Sequence, residues 1–352
     1  MNDSAGDPGA LWVEFNRRGI DAALKLRAAS AAAVGCSLKV EVWRQDKVAL
    51  YRYLPLPFIQ RASAKPVLIC FSLVNRPYIL DLQTNRSLIR RLLAAGLEVY
   101  LIDWGRPDDS DAGLELYDYI ERYMRDCVLR VIELEGSEAL NLIGVCQGGT
   151  LSLCYCALNP RHVANLVTMV TPVDFHTRDD LLSKWVRRLD MDAIRRAGNV
   201  PGAMLTGLFL SLAPFRLMHQ KYVELLDRAL DVSEAEGFMR MEKWIFDCPD
   251  QVATATAQFV QWFYQENRLI NGSLEVGGRR VRLARIRQPV LNIYAQQDHI
   301  VPPSAVTALR GYIGSRDYTE DAVDTGHIGL YVSRTAQDTV APRIACWLRN
   351  RA

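Results

Sequence analysis

Asn141-Leu142-Ile143-Gly144-Val145-Cys146-Gln147-Gly148-Gly149-Thr150 decides the fold. An apolar run stops at a glycine, presents one thiol and restarts as a glycine-led helix. A strand that turns this sharply into a helix strains the residue at the turn, and the flanking glycines leave room for the crossing backbone. The stretch is a nucleophile elbow with sulfur in place of oxygen. Cys146 is expected at a helix N-terminus, where the positive end of the dipole favours the thiolate and lowers the thiol pKa below its usual value of about 8.5. With 22 Gly and 8 Cys in 352 residues, G-x-C-x-G-G arises by accident only about 0.002 times. The competing reading is a buried structural cysteine between packing glycines, and partners elsewhere in the chain decide between the two.

Strand and helix signals alternate around the elbow. Upstream, Val67 to Phe71 and Val99 to Ile102 read as buried strands, Arg86 to Ala95 as a helix stopped by Gly96, and Leu116 to Leu134 as a long helix ending at Gly136. Leu140 to Ile143 feeds the elbow, Thr150 to Leu158 continues the helix behind it, and Asn165 to Val170 is a further central strand. This alternation implies parallel βαβ units. Leu38 to Trp43 and Val48 to Tyr53 form an expected hairpin at the sheet's start, turning near Gln45 and Asp46. From about Phe175 to Leu283 the strand signal fades and aromatic, Met-rich segments suggest a largely helical insertion. The rhythm returns at Pro289 to Tyr294, with a helix from Ser304 to Tyr312, a strand near Tyr318 to Val323 and a terminal helix from Thr335 to Leu348. Residues 7 to 34 carry a loose amphipathic pattern that could cover the core or a partner.

Composition sets bounds. A chain of 352 residues with 49% hydrophobic content can bury one large α/β core with an insertion. Lys plus Arg at 42 against Asp plus Glu at 40 gives a net charge of +2, so bulk electrostatics favour neither a nucleic-acid partner nor an anionic membrane. The eight cysteines are scattered through apolar runs without a C-x-x-C pair, which suits a reducing cytosol. Acidic residues precede any apolar run at the N-terminus, so no secretory signal is expected. Ala139 to Pro160 and Ala197 to Phe215 are uncharged stretches near the length of a bilayer span of about 20 residues. Elbow glycines mark the first as core; Pro201, Gly202, Gly207 and Pro214 interrupt the second, which is read as buried or interfacial.

A cysteine nucleophile needs a base and, usually, a group to orient that base. Asp298 follows the strand Leu291 to Tyr294, and His327 lies between glycines in Thr325-Gly326-His327-Ile328-Gly329 before the last helix. Alone, Asp298 would read as a turn or capping residue and His327 as a packing histidine. The order nucleophile, acid, histidine is that of α/β-hydrolases, with each group where a strand ends and a loop begins. His299 is a rival base, though neighbouring residues on an extended loop point apart. His162, His176 and His219 are assigned to structure or surface. The backbone amides of Gln147 and, from the loop Ser72-Leu73-Val74-Asn75-Arg76-Pro77-Tyr78, of Val74 are the expected oxyanion hole. Arg76 reads equally as an anion contact or a salt-bridge residue.

These residues resemble the catalytic subunit of polyhydroxyalkanoate synthase, in particular the short class III type. The matching stretches are Lys47-Val48-Ala49-Leu50-Tyr51-Arg52-Tyr53, Leu73 to Tyr78, Val99 to Gly105, the Cys146 elbow, Val170 to Phe175, Met241-Glu242-Lys243-Trp244-Ile245-Phe246, Gln297-Asp298-His299 and Gly326-His327-Ile328-Gly329. The elbow alone is not decisive, because dienelactone hydrolases place a cysteine on a similar turn. The resemblance implies an α/β-hydrolase core (36–174 and 284–352) with a mostly parallel sheet and a helical cap inserted at 175–283; it covers residues 1–35 only weakly, and these are read as an N-terminal helical segment from their amphipathic pattern alone. It implies that Cys146 carries a growing polyester as a thioester, that His327 deprotonates it, and that Asp298 activates the 3-hydroxyl of an incoming (R)-3-hydroxyacyl-coenzyme A, mainly 3-hydroxybutyryl. No cofactor or metal is expected. Expected partners are a second, non-catalytic synthase subunit, further copies of the chain and the polyester granule surface in the cytoplasm, with no membrane span. A plain cysteine hydrolase, a thioesterase or dienelactone-hydrolase-like enzyme, is the alternative.

Overall fold

The computed structural model describes residues 17, 20–21, 24–29, 31–62, 64–215, 220–221 and 231–351. Eight strands form the central sheet: β1 (Lys39–Gln45), β2 (Val48–Tyr53), β3 (Val67–Cys70), β4 (Val99–Asp103), β5 (Leu140–Val145), β6 (Val163–Met169), β7 (Val290–Ala295) and β8 (Tyr318–Val323). Their spatial order is β1-β2-β4-β3-β5-β6-β7-β8. β2 pairs antiparallel with both β1 and β4; the other pairings are parallel. Every residue of β3, β4 and β5 is buried, as parallel strands covered on both faces must be.

Helices cover the sheet. Ser87 caps α1 (Leu88–Ala94) by accepting the Arg90 amide at 2.8 Å. The expected helix start at Arg86 is corrected by this cap, because Arg86–Ser87 pairs instead with Asp81–Gln83 as a short ribbon. The segment expected as one helix from Leu116 opens as a π-helical turn (Asp118–Met124) and continues as α2 (Arg125–Glu135), closed by Gly136 at φ 60°. Behind the elbow lies α3 (Gln147–Leu158), buried nearly throughout.

Between β6 and β7 the chain is mainly helical, with α4 (Leu181–Val186), α5 (Met191–Ala197), α6 (Gly202–Ser211), α7 (Val232–Ile245) and α8 (Ala253–Phe259), the last extended by a π-helical turn at Val260–Gln265. A two-stranded ribbon, Glu275–Val276 with Arg279–Arg280, interrupts this pattern. Val252, Ala255, Phe259, Phe263, Leu274, Val276 and Leu283 join the main core beneath the sheet, so the later part of this stretch is part of the core packing. Then follow α9 (Pro303–Thr307), α10 (Gly329–Val332) and α11 (Arg334–Arg349).

In the N-terminal segment, residues 24–29 are helical; Ala29 is buried against Ala235, and Leu26 packs on the same cluster. Residues 7–16 of the amphipathic stretch and His219 lie outside the described residues. Among the described residues no helix is long and apolar enough to cross a membrane.

Candidate active site

Strand register brings the site together. Cys70 of β3 pairs with Gly144 of β5, Val145 with Met169 of β6, and Ala295 of β7 with Val323 of β8. These parallel strands therefore end along one edge, and the loops carrying Ser72, Cys146, Asp298 and His327 leave it side by side. Sequence separations of up to 255 residues collapse into one cleft edge, where ligands meet open α/β sheets.

The elbow is strained and crowded. Cys146 sits at φ 53° and ψ −125° as the residue before α3, a conformation L-residues rarely adopt. A Cβ at Gly144 would meet the Gly149 Cα at 2.5 Å, and one at Gly149 would meet Thr171 Oγ1 at 1.8 Å. Glycine is required at both positions by close approach. Cys146 is half-buried, between an apolar cluster with Tyr294, Ile300 and Val301 and the sheet's other core face.

His327 and Asp298 form the adjoining pair. The His327 Nδ1 lies 2.7 Å from Asp298 Oδ2, and both side chains are almost wholly removed from solvent. Asp298 Oδ1 accepts the Ile300 and Val301 amides, each at 2.9 Å. With Nδ1 held by the carboxylate, the other ring nitrogen is left for Cys146, which lies close enough to act on the ring electrostatically. Burial alone would push the His327 pKa down. The Asp298 carboxylate, hydrogen-bonded to the ring, and the neighbouring Cys146 sulfur outweigh it and raise the imidazole to about 10.

Of the two backbone amides expected as oxyanion donors, one is bonded within its own loop. The Val74 amide donates to Ser72 Oγ at 3.0 Å. It is the Leu73 amide that faces the elbow, donating to the Gln147 side-chain oxygen at 3.1 Å, with Ser72 Oγ 3.2 Å from the same oxygen. Val74 is thus engaged within its own loop. The Gln147 amide is the first of α3 and has no carbonyl one turn earlier to bond within the helix.

Other candidates resolve into structure. Arg76 donates to the Gly105 carbonyl at 2.7 Å and to Asp103 at 2.8 Å, making it a salt-bridge residue. His162 bonds the Tyr155 hydroxyl, and His176 lies 2.8 Å from the Tyr264 carbonyl. Among the described residues no cluster of three or more His, Cys, Asp or Glu could hold a metal ion.

Some neighbours were not legible in the sequence. The Tyr331 ring meets His327 edge-on at 6.1 Å; its i+4 spacing from His327 onto α10 was the available signal. Trp244 donates to the Arg76 carbonyl at 2.7 Å and Gln251 to the Leu73 carbonyl at 3.0 Å, clamping the loop after β3 from the helical stretch. These contacts bridge more than 160 residues, and no local pattern announces them.

A family model described as alpha/beta hydrolase fold matches residues 65–333. Among solved structures, a hydrolase from Pseudomonas aeruginosa PA01 aligns with TM-score 0.52 and 16% identity, covering 89% of this chain and 98% of that one; at that identity the likeness concerns the fold alone. Curated relatives are far nearer. The chain is 51% identical to the poly(3-hydroxyalkanoate) polymerase subunit PhaC of Allochromatium vinosum, over 92% of this chain and 91% of the relative. It is 49% identical to the subunit of the same name from Thiocystis violacea, over 92% and 91%, and 45% identical to that of Synechocystis sp., over 90% and 86%. On this identity and mutual coverage, which fit the short class III form, the chain belongs to the family of poly(3-hydroxyalkanoate) polymerase subunits built on the α/β-hydrolase fold.

Proposed function

We propose that this chain is an acyltransferase that polymerises (R)-3-hydroxyacyl-coenzyme A, mainly the 3-hydroxybutyryl thioester, into polyester through a covalent thioester on Cys146. The observation that carries the mechanism is the buried His327–Asp298 pair set against the half-buried Cys146 on its strained turn. In the acylation step the Cys146 sulfur attacks the thioester carbonyl, and the coenzyme A thiolate leaves with a proton from His327. In elongation a 3-hydroxyl attacks the acyl-Cys146 carbonyl, its proton passes to His327, and the Cys146 thiolate departs. Each half-step forms one acyl bond and breaks one.

The resemblance assigns hydroxyl activation directly to Asp298. Both of its oxygens are engaged and its side chain is wholly buried, which supports an indirect role: Asp298 orients His327 and stabilises the imidazolium, and His327 serves as base for thiol and alcohol alike.

Residues 175–283 act as the cap that keeps water from the acyl-thioester, with 252–283 anchored in the core. A second synthase subunit, further copies of the chain and the granule surface are its proposed partners, consistent with relatives named as subunits.

The test is incubation with 3-hydroxybutyryl-coenzyme A while following free thiol and turbidity. Thiol release with polymer, lost in Cys146→Ala, is expected. Thiol release with monomeric acid alone would overturn the polymerase reading in favour of a thioesterase.

A further inference from the structure

Cys70 opposite Gly144 sets the loop after β3 directly beside the elbow. The approach is tight: a Cβ at Gly148 would lie 2.4 Å from the carbonyl oxygens of both Cys70 and Phe71. Across this contact two donors converge on one oxygen. The Leu73 N–H reaches Gln147 Oε1 at 3.1 Å and the Ser72 hydroxyl reaches it at 3.2 Å. The Ser72 hydroxyl can donate there because its own lone pair takes the Val74 N–H at 3.0 Å. The Leu73 carbonyl is held by Gln251 at 3.0 Å, which fixes the Leu73–Val74 peptide immediately after the Leu73 N–H.

A carbonyl oxygen accepting an N–H and an O–H, on the residue next to the nucleophile, has the donor environment required by a thioester oxygen becoming an oxyanion. Resting on the acyl-transfer reading above, we propose that the oxyanion hole is self-occupied: the Gln147 carboxamide oxygen sits on the Leu73 N–H and Ser72 O–H, and the substrate thioester carbonyl displaces it. Leu73, in place of Val74, then supplies the loop amide, the Gln147 backbone N–H supplies the other, and the Ser72 hydroxyl is a third donor. The Gln147 side chain is a positioning residue that competes with substrate for these donors. Removing its oxygen leaves the backbone donor in place.

The experiment measures the second-order rate of the first coenzyme A release from 3-hydroxybutyryl-coenzyme A over a range of pH, for the full-length wild type, Gln147→Met and Gln147→Glu. Wild-type release that depends on Cys146 establishes the underlying reading independently. Given that, Gln147→Met is expected to be faster than wild type by about 2- to 10-fold, the worth of one net hydrogen bond, through a lower KM. Gln147→Glu is expected to be slowed at neutral pH, because a carboxylate binds both donors more strongly and repels the oxyanion, with its rate relative to wild type recovering as acid neutralises it. The opposite ranking, Gln147→Met slower than wild type and Gln147→Glu faster than Gln147→Met, would overturn the proposal and make the carboxamide a clamp that holds the loop. Equal rates in all three would also overturn it. If Gln147→Met fails to fold, the pH dependence of the Gln147→Glu ratio decides alone: a flat ratio rejects self-occupation.

Discussion

His327 Nδ1 and Asp298 Oδ2 lie 2.7 Å apart in a region closed to solvent, although 28 residues of chain separate them. The pairing leaves one imidazole nitrogen for the sulfur of Cys146 and none for bulk water. On the mechanism proposed above, this carboxylate acts through the ring it holds.

Asp298→Asn is therefore expected to slow acylation and elongation together, each by about 10²-fold or more, because the imidazolium loses its counter-charge in both. Rapid-quench measurement of the coenzyme A burst and of later turnover separates the two steps. A normal burst followed by arrested elongation would return Asp298 to direct action on the substrate hydroxyl.

The raised His327 pKa ties stability to pH. The folded state binds this proton more tightly than the unfolded chain, so the contribution is complete below about 6.5 and fades as pH rises toward about 10. The stability margin of wild type over His327→Gln, from urea unfolding midpoints across that window, is expected to shrink as pH increases. A margin that grows with pH would contradict the charged pairing.

Cys146 carries strain for its position. At φ 53° and ψ −125°, glycine is at ease where an L-residue costs about 1–3 kcal/mol. Cys146→Gly is expected to be inactive yet more stable than wild type by about 1 kcal/mol, whereas Cys146→Ala is inactive without that gain. Calorimetry on both variants checks this; equal melting temperatures would remove the strain argument.

Gly149→Ala is expected to destabilise the protein by about 1–3 kcal/mol, because the new methyl meets Thr171 Oγ1 at 1.8 Å and Cγ2 at 2.7 Å. Adding Thr171→Ala removes both atoms, so the double variant should recover part of the loss. Strictly additive losses in denaturant unfolding would place the cost elsewhere.

The α/β alternation, the elbow and the chain order of Cys146, Asp298 and His327 were legible because they are local signals: apolar runs of strand length, glycines around one thiol, polar residues just past strand ends. Element boundaries moved where side chains made competing bonds, as at Ser87, which caps α1 and bonds Asp81 at 2.5 Å. Arg76 could not be assigned from sequence, since its partner Asp103 lies at the end of β4, 27 residues further along the chain. Val74 was the expected loop donor because residue spacing does not reveal that Ser72 Oγ captures its amide.

By itself, then, the sequence determined the fold class, the thiol on its turn and the acid and histidine that follow, all properties of short segments. Only the tertiary structure decided that Asp298 is fully occupied beneath His327, and that the Leu73 amide faces Gln147. These depend on the parallel register that sets Cys70 beside Gly144 and Ala295 beside Val323. Hydrogen-bond direction at the end of a strand is fixed by its neighbours in the sheet, which the linear order of residues does not specify.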